Sequence, residues 1–132
     1  MLETLVPWLL VAAGGSLGAM TRFAVSRATL YFLGETRFPW ATFAINATGS
    51  FALGFVGALL KSGGAEWPEF WRYAMGTGFL GAYTTFSTFE LETHDTLENG
   101  DWIIASAYVA GSVFCGLLAV RLGVLTGRRA FA

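Results

Sequence analysis

The stretch that decides the fold is Tyr73-Ala74-Met75-Gly76-Thr77-Gly78-Phe79-Leu80-Gly81-Ala82-Tyr83-Thr84-Thr85-Phe86-Ser87-Thr88-Phe89, a run without charge held between Arg72 and Glu90. At 17 residues it is barely long enough, since a helix crossing the hydrocarbon core of a bilayer takes roughly 17–25. Its composition suits lipid poorly, because eight of the 17 are Gly, Ser or Thr. Glycine in a helix interior costs about 1 kcal/mol relative to alanine. Non-helical backbone at membrane depth is tolerated only where it is buried in protein or lines a water-filled cavity. The favoured reading is therefore a spanning helix broken in its middle near Gly81, with freed carbonyls open to a cation such as Na⁺. The competing reading is an unbroken, tightly packed helix whose hydroxyls bond its own carbonyls.

Three further uncharged runs flank this one: Thr4–Thr21 ends at Arg22, Trp40–Leu60 at Lys61 and Trp102–Val120 at Arg121. The four runs are 17 to 21 residues long, so each is able to span. Hydrophobic residues make up 55% and charged residues 13%, about half the charge of a soluble domain. The net charge of −1 gives no argument for nucleic acid. One cysteine, Cys115, rules out an internal disulfide, and one histidine, His94, removes most zinc geometries. The start, Met1-Leu2-Glu3-Thr4, lacks the basic region of a secretory signal, so its apolar run is read as a spanning segment. The expected fold is an all-α membrane protein of one domain, 1–132, with four transmembrane helices near 3–32, 39–61, 70–94 and 100–125.

Trp8, Trp40, Trp67, Trp71 and Trp102 lie mostly near segment starts, where an amphipathic ring sits at headgroup depth. The linkers are short: Gly34–Pro39, Lys61–Pro68, and an acidic stretch from Glu92 to Asp101. Lys61, Arg72, Arg121, Arg128 and Arg129 would face one side of the membrane, and Arg37 with Arg22 and Arg27 the other. So weak a bias fits insertion either way round, or a modest preference for cytoplasmic termini. Small residues stand four apart at Gly14 and Gly18, Ser50 and Gly54, and Gly111 and Cys115. That spacing lets helix backbones approach closely in lipid.

Four features carry chemistry. Phe86 and Phe89 share a helix face at i and i+3; they are core packing, or they offer positive ring edges to a small anion. Asn46 lies mid-segment with Thr42 and Ser50 a turn away on either side, as interhelical glue or as an NH₂ donor aimed into a pore. Tyr108 and Ser112 share a face and would continue a line of hydroxyls. Arg22 snorkels to the interface or lends positive charge to a vestibule. No Asp or Glu interrupts an uncharged run, which argues against a proton-coupled carrier.

These pieces resemble the Fluc (CrcB) family of bacterial fluoride channels. The likeness rests on Gly14-Gly15-Ser16-Leu17-Gly18-Ala19-Met20-Thr21-Arg22, on Asn46-Ala47-Thr48-Gly49-Ser50-Phe51, and above all on Gly78-Phe79-Leu80-Gly81-Ala82-Tyr83-Thr84-Thr85-Phe86-Ser87-Thr88-Phe89. It covers nearly the whole chain. The resemblance implies an antiparallel, dual-topology homodimer with two fluoride pores in the bacterial inner membrane, exporting fluoride passively and conferring resistance to it. By resemblance, Phe86 and Phe89 line the pore with their ring edges, and Asn46 is the pore asparagine. Ser87, Thr88, Tyr108 and Ser112 match polar lining positions, and Arg22 matches an arginine near the vestibule. Gly81 and Thr84 match the residues whose carbonyls hold a structural Na⁺ at the dimer centre. One departure is Ala82-Tyr83, where a smaller or aliphatic pair is expected.

Fluoride is small and tightly hydrated, so a pore must replace its water without trapping it, and neutral hydroxyls, one amide and ring edges suit that compromise. The implied partners are a second copy of the chain, fluoride and the lipid bilayer, with no nucleic acid and no enzymatic activity. The alternatives are a small multidrug-type dual-topology transporter, which needs a carboxylate in the first segment, and a non-conducting membrane subunit.

Overall fold

The computed structural model describes the backbone of residues 2–62 and 69–130 and the side chains of 4–59 and 70–130. The linker from Gly63 to Pro68, with the expected interfacial Trp67, lies outside the described residues, as do the side chains of Glu3 and Lys61. All the regular structure described is helical. Helix α1 is Leu2–Leu33, α2 is Trp40–Ser62, and the third helix, α3, occupies 69–83. Then α4 is Phe86–Glu98 and α5 is Trp102–Arg129.

Thr4–Leu33, Trp40–Leu59 and Trp102–Arg129 are long and apolar enough to cross a membrane, with mean hydropathies of 1.4, 1.4 and 2.1. The third uncharged run is not one continuous helix. It opens with the turn Glu69–Trp71, widens into a π-helix over Arg72–Leu80 and closes with one α turn, Gly81–Tyr83. The Gly81 N–H donates back to the Gly76 carbonyl, the i−5 bond that defines the wider turn. Two extended residues follow, and α4 then runs on to Glu98, past the expected end at 94. Gly34 ends α1 at φ 67°, a left-handed conformation glycine adopts without penalty, and its N–H donates to the Leu30 carbonyl at 2.9 Å.

Two pairs of helices do most of the packing, α2 along α5 and α1 along α3. Each is a contact between bare backbones. A Cβ at Gly14 would strike the Ala74 carbonyl, and one at Gly18 the Phe79 carbonyl. Across the other pair, Gly54 meets the Val120 carbonyl, while Gly123 and Gly127 meet those of Phe51 and Phe55. In lipid such close approach replaces the hydrophobic effect as the source of helix association. Gly14, Gly18 and Gly54 thus stand at helix crossings. In α5 the crossing belongs to Gly123 and Gly127, whereas Gly111 approaches only the Phe43 ring. Charge explains the shift. The uncharged run ends at Arg121, but the helix and its contact with α2 continue to Arg129.

Candidate functional site

The helix break falls at Thr84 and Thr85, three residues after Gly81. Thr84 has φ −78° and ψ 158°, and Thr85 has φ −149° and ψ 122°, both extended. Gly81 itself is helical at φ −63°, ψ −35°. The glycines of this segment serve the wide turn and the contact with α1, and hydrogen bonding sets the break. Thr85 is the N-cap of α4: its Oγ1 accepts from Thr88 N at 3.3 Å and donates to Thr88 Oγ1 at 2.9 Å. On the other side, both the N–H and the hydroxyl of Thr84 donate to the Leu80 carbonyl, at 3.1 and 3.0 Å.

Asn46 of α2 holds the break open. Its Nδ2 donates to the Thr85 carbonyl and its Oδ1 accepts from Thr85 N, both at 2.9 Å. A backbone N–H only donates, so this pairing fixes which way the amide is turned. The Thr85 N–H would otherwise bond the Gly81 carbonyl in a continued α-helix, and Asn46 diverts it. Asn46 is therefore first a clasp on the backbone. Among the described residues, its second Nδ2 hydrogen has no acceptor.

Two cavities meet at Thr85. One, of about 300 Å³, is lined by Asn46, Ser50, Gly81, Thr84, Thr85 and Phe86. The other, of about 250 Å³, is lined by Arg22, Ser26, Thr42, Thr85 and Thr88. Arg22 is half-buried and shares this cavity with three threonines.

A row of rings begins at the break. The Phe86 and Phe89 centroids are 5.9 Å apart at 38°, and Phe89 lies 5.0 Å from Tyr108 at 59°. Phe38, from the linker between α1 and α2, closes the row edge-on against Tyr108 at 5.3 Å and 77°. Tyr108 is fully buried, and its hydroxyl donates to Glu92 Oε2 at 2.7 Å. The other carboxylate oxygen, Oε1, accepts from Thr42 Oγ1 at 2.9 Å. Two buried hydroxyls on two different helices therefore converge on one carboxylate of a third.

Of the residues expected from the sequence, Asn46, Phe86, Gly81 and Thr84 share the first cavity, and Arg22 and Thr88 the second. Phe89 and Tyr108 belong to the ring row. Ser112 lies one turn beyond Tyr108, with a buried Oγ that has no hydrogen-bond partner among the described residues. Ser87 is exposed in the first turn of α4 and lines neither cavity. Glu92, Thr42 and Thr85 were not among the expected site residues. Glu92 falls where the expected helix 70–94 overlaps the acidic stretch, and the structure places it well inside α4, facing α2 and α5. The sequence did carry a signal for it, since Phe86, Phe89 and Glu92 recur at spacing three and share one helix face.

A family model described as CrcB-like protein, Camphor Resistance (CrcB), matches residues 9–124. A relative from Acidobacterium capsulatum, named fluoride-specific ion channel FluC, is 46% identical over 125 residues, covering 95% of this chain and 98% of its own. Relatives of the same name from Solibacter usitatus and a Caulobacter species are 42% and 39% identical, covering 92% and 94% of this chain and 98% and 96% of their own.

Proposed function

The chain belongs to the CrcB-like protein family, and on that premise we propose that it is a fluoride channel of the bacterial inner membrane. It lets fluoride leave the cell down its own gradient, which protects a cell in which fluoride accumulates after entering as HF. The observation that carries this reading is the row from Phe86 through Phe89 to Tyr108, which starts at a helix break and ends on buried hydroxyls.

The chemistry of that row suits a small anion. Ring edges carry partial positive charge, and the hydroxyls of Thr42, Tyr108 and Ser112 supply neutral donors. Neither binds fluoride tightly enough to hold it, as conduction requires. Arg22 raises the local concentration of anions beside Thr42 and Thr88 without lying in the ring row. Glu92 keeps the Tyr108 and Thr42 hydroxyls turned inward and spaced. An arriving anion competes with that carboxylate for them, so the ion is handed on and not trapped.

The functional unit in this reading is an antiparallel homodimer of dual topology, with two pores. Its support is the state of a single copy: Gly81 and Phe86 are exposed, Phe86 by 70%, at a break whose carbonyls lipid cannot satisfy. A second copy against this face would cover them. The residues present also fit a structural Na⁺. Asn46 diverts the Thr85 N–H from the Gly81 carbonyl, and Thr84 leaves the helix with an extended ψ. The carbonyls of Gly81 and Thr84 would hold the ion as hard oxygen donors, and the bound ion would supply fixed positive charge between two copies.

A multidrug-type carrier is less well supported, because no Asp or Glu occurs from Thr4 to Leu33. The test is fluoride efflux from liposomes loaded with the purified protein, read with a fluoride electrode. Rapid efflux with little chloride efflux is expected. A folded protein that releases no fluoride would overturn the channel reading.

A further inference from the structure

Ala82-Tyr83 stands at the turn just before the break, and the bulky member of the pair is not a surface residue. Tyr83 is buried, with 9% of its surface exposed. Its ring stacks on Phe79 at 6.0 Å and 14°. On α2 it lies over Gly49, where a Cβ would come within 3.2 Å of Tyr83 Cδ1 and strike the Thr84 methyl. The bare backbone at Gly49 thus leaves room for two successive residues of α3.

The Tyr83 hydroxyl lies 2.9 Å from Thr48 Oγ1. Thr48 Oγ1 has one hydrogen, and it is committed to the Ala44 carbonyl 2.7 Å away. Tyr83 is therefore the donor across the interface. Three consecutive residues entering the break are docked on one turn of α2: Tyr83 on Thr48, Thr84 on Gly49, and Thr85 on Asn46.

We propose that Tyr83 is a positioning residue for the cation site: through its hydrogen bond to Thr48 it holds the turn that carries the Gly81 and Thr84 carbonyls. The inference rests on the Na⁺ reading above. Without the bond, the turn samples arrangements in which the two carbonyls do not face a common ion. Apparent affinity then falls by the fraction of time the competent arrangement is populated.

The test uses the full-length purified protein, with Tyr83→Phe to remove only the hydroxyl and Thr48→Val to remove only its acceptor. The readout is the Na⁺ concentration that half-maximally raises the melting temperature in detergent, with N-methylglucamine as the replacement cation. Fluoride efflux is followed in parallel. Each variant is expected to raise the Na⁺ midpoint about three- to tenfold, the range one hydrogen bond supports. The double variant is expected to shift no further than the singles, because both remove the same bond. Efflux at saturating Na⁺ should stay near the parent's; Tyr83→Phe should melt close to the parent, and Thr48→Val, which leaves the Tyr83 hydroxyl without its acceptor, a few degrees lower. If the parent responds to Na⁺ and both variants respond at the same midpoint, Tyr83 does not position the site and the cation reading stands. If the parent does not respond to Na⁺, the cation reading fails and this proposal fails with it.

Discussion

Asn46 and Thr85 exchange two hydrogen bonds of 2.9 Å, so an α2 side chain occupies both polar groups of the residue at the centre of the break. Asn46→Leu leaves the Thr85 N–H and carbonyl without these partners. Each buried orphan costs about 1–3 kcal/mol. The N–H can then return to the Gly81 carbonyl and begin to close the break. A melting temperature several degrees lower and a loss of fluoride efflux are expected. Parent-like melting and efflux in this variant would show that something other than the clasp holds the chain open.

Phe86 is 70% exposed in the single chain, so its ring contributes little to packing within one copy. Phe86→Ile keeps an apolar side chain and removes the ring edge. Efflux is expected to fall on the order of tenfold or more with the melting temperature nearly unchanged. Phe89→Ile also loses the contact with Tyr108, so efflux and stability should fall together. The contrast between the two variants, measured on matched proteoliposomes, separates an ion contact from a packing contact.

The buried pairing on Glu92 predicts a coupling. Tyr108→Phe and Thr42→Val each strip one donor from the same carboxylate. Either change is expected to cost about 1.5–3 kcal/mol, the range for a hydrogen bond to a charged group, because one oxygen of the half-buried carboxylate loses its partner. The double variant should differ clearly from the sum of the singles, since the two residues share a partner. A thermal double-mutant cycle in detergent reads this directly, and additive values would mean that the two hydroxyls act independently.

Gly123→Val forces a branched side chain into the Phe51 carbonyl and is expected to destabilise by about 3 kcal/mol or more, beyond ordinary overpacking. Loss of the single peak on size-exclusion chromatography would report it. Gly57→Ala is the matched control, because nothing lies within 4 Å of the added methyl. That variant should run and melt like the parent.

Charge gaps alone located α1, α2 and α5, because lipid excludes charge from a span and little else competes with that rule. The break was legible as an event near Gly81, and the structure sets it at Thr84 and Thr85. Glycine richness signals a weak helix, but where a helix stops depends on which side chains take up its freed polar groups. Here those are the Thr85 cap and the Asn46 amide, 39 residues apart in sequence. Glu92 was missed for a related reason. An acidic residue just beyond an uncharged run reads as solvated even inside an expected helix, and only the packing of α4 on α2 and α5 brings it to Thr42 and Tyr108. The Gly123 and Gly127 crossing was hidden behind Arg121 in the same way.

The wide turn over Arg72–Leu80 makes the broken segment 69–98 unequally tolerant of a change in chain length. A π-helix accommodates a residue more than an α-helix over the same rise, so deleting one residue there lets the segment tighten to α geometry and deliver the break to nearly the same place. The same deletion within Phe86–Glu98 has no slack to draw on. Placed before Glu92, it would rotate every side chain beyond it by about 100° around the helix axis, turning Glu92 away from both hydroxyls that donate to it. Length variation in proteins of this kind should therefore fall before the break and be absent between it and Glu92.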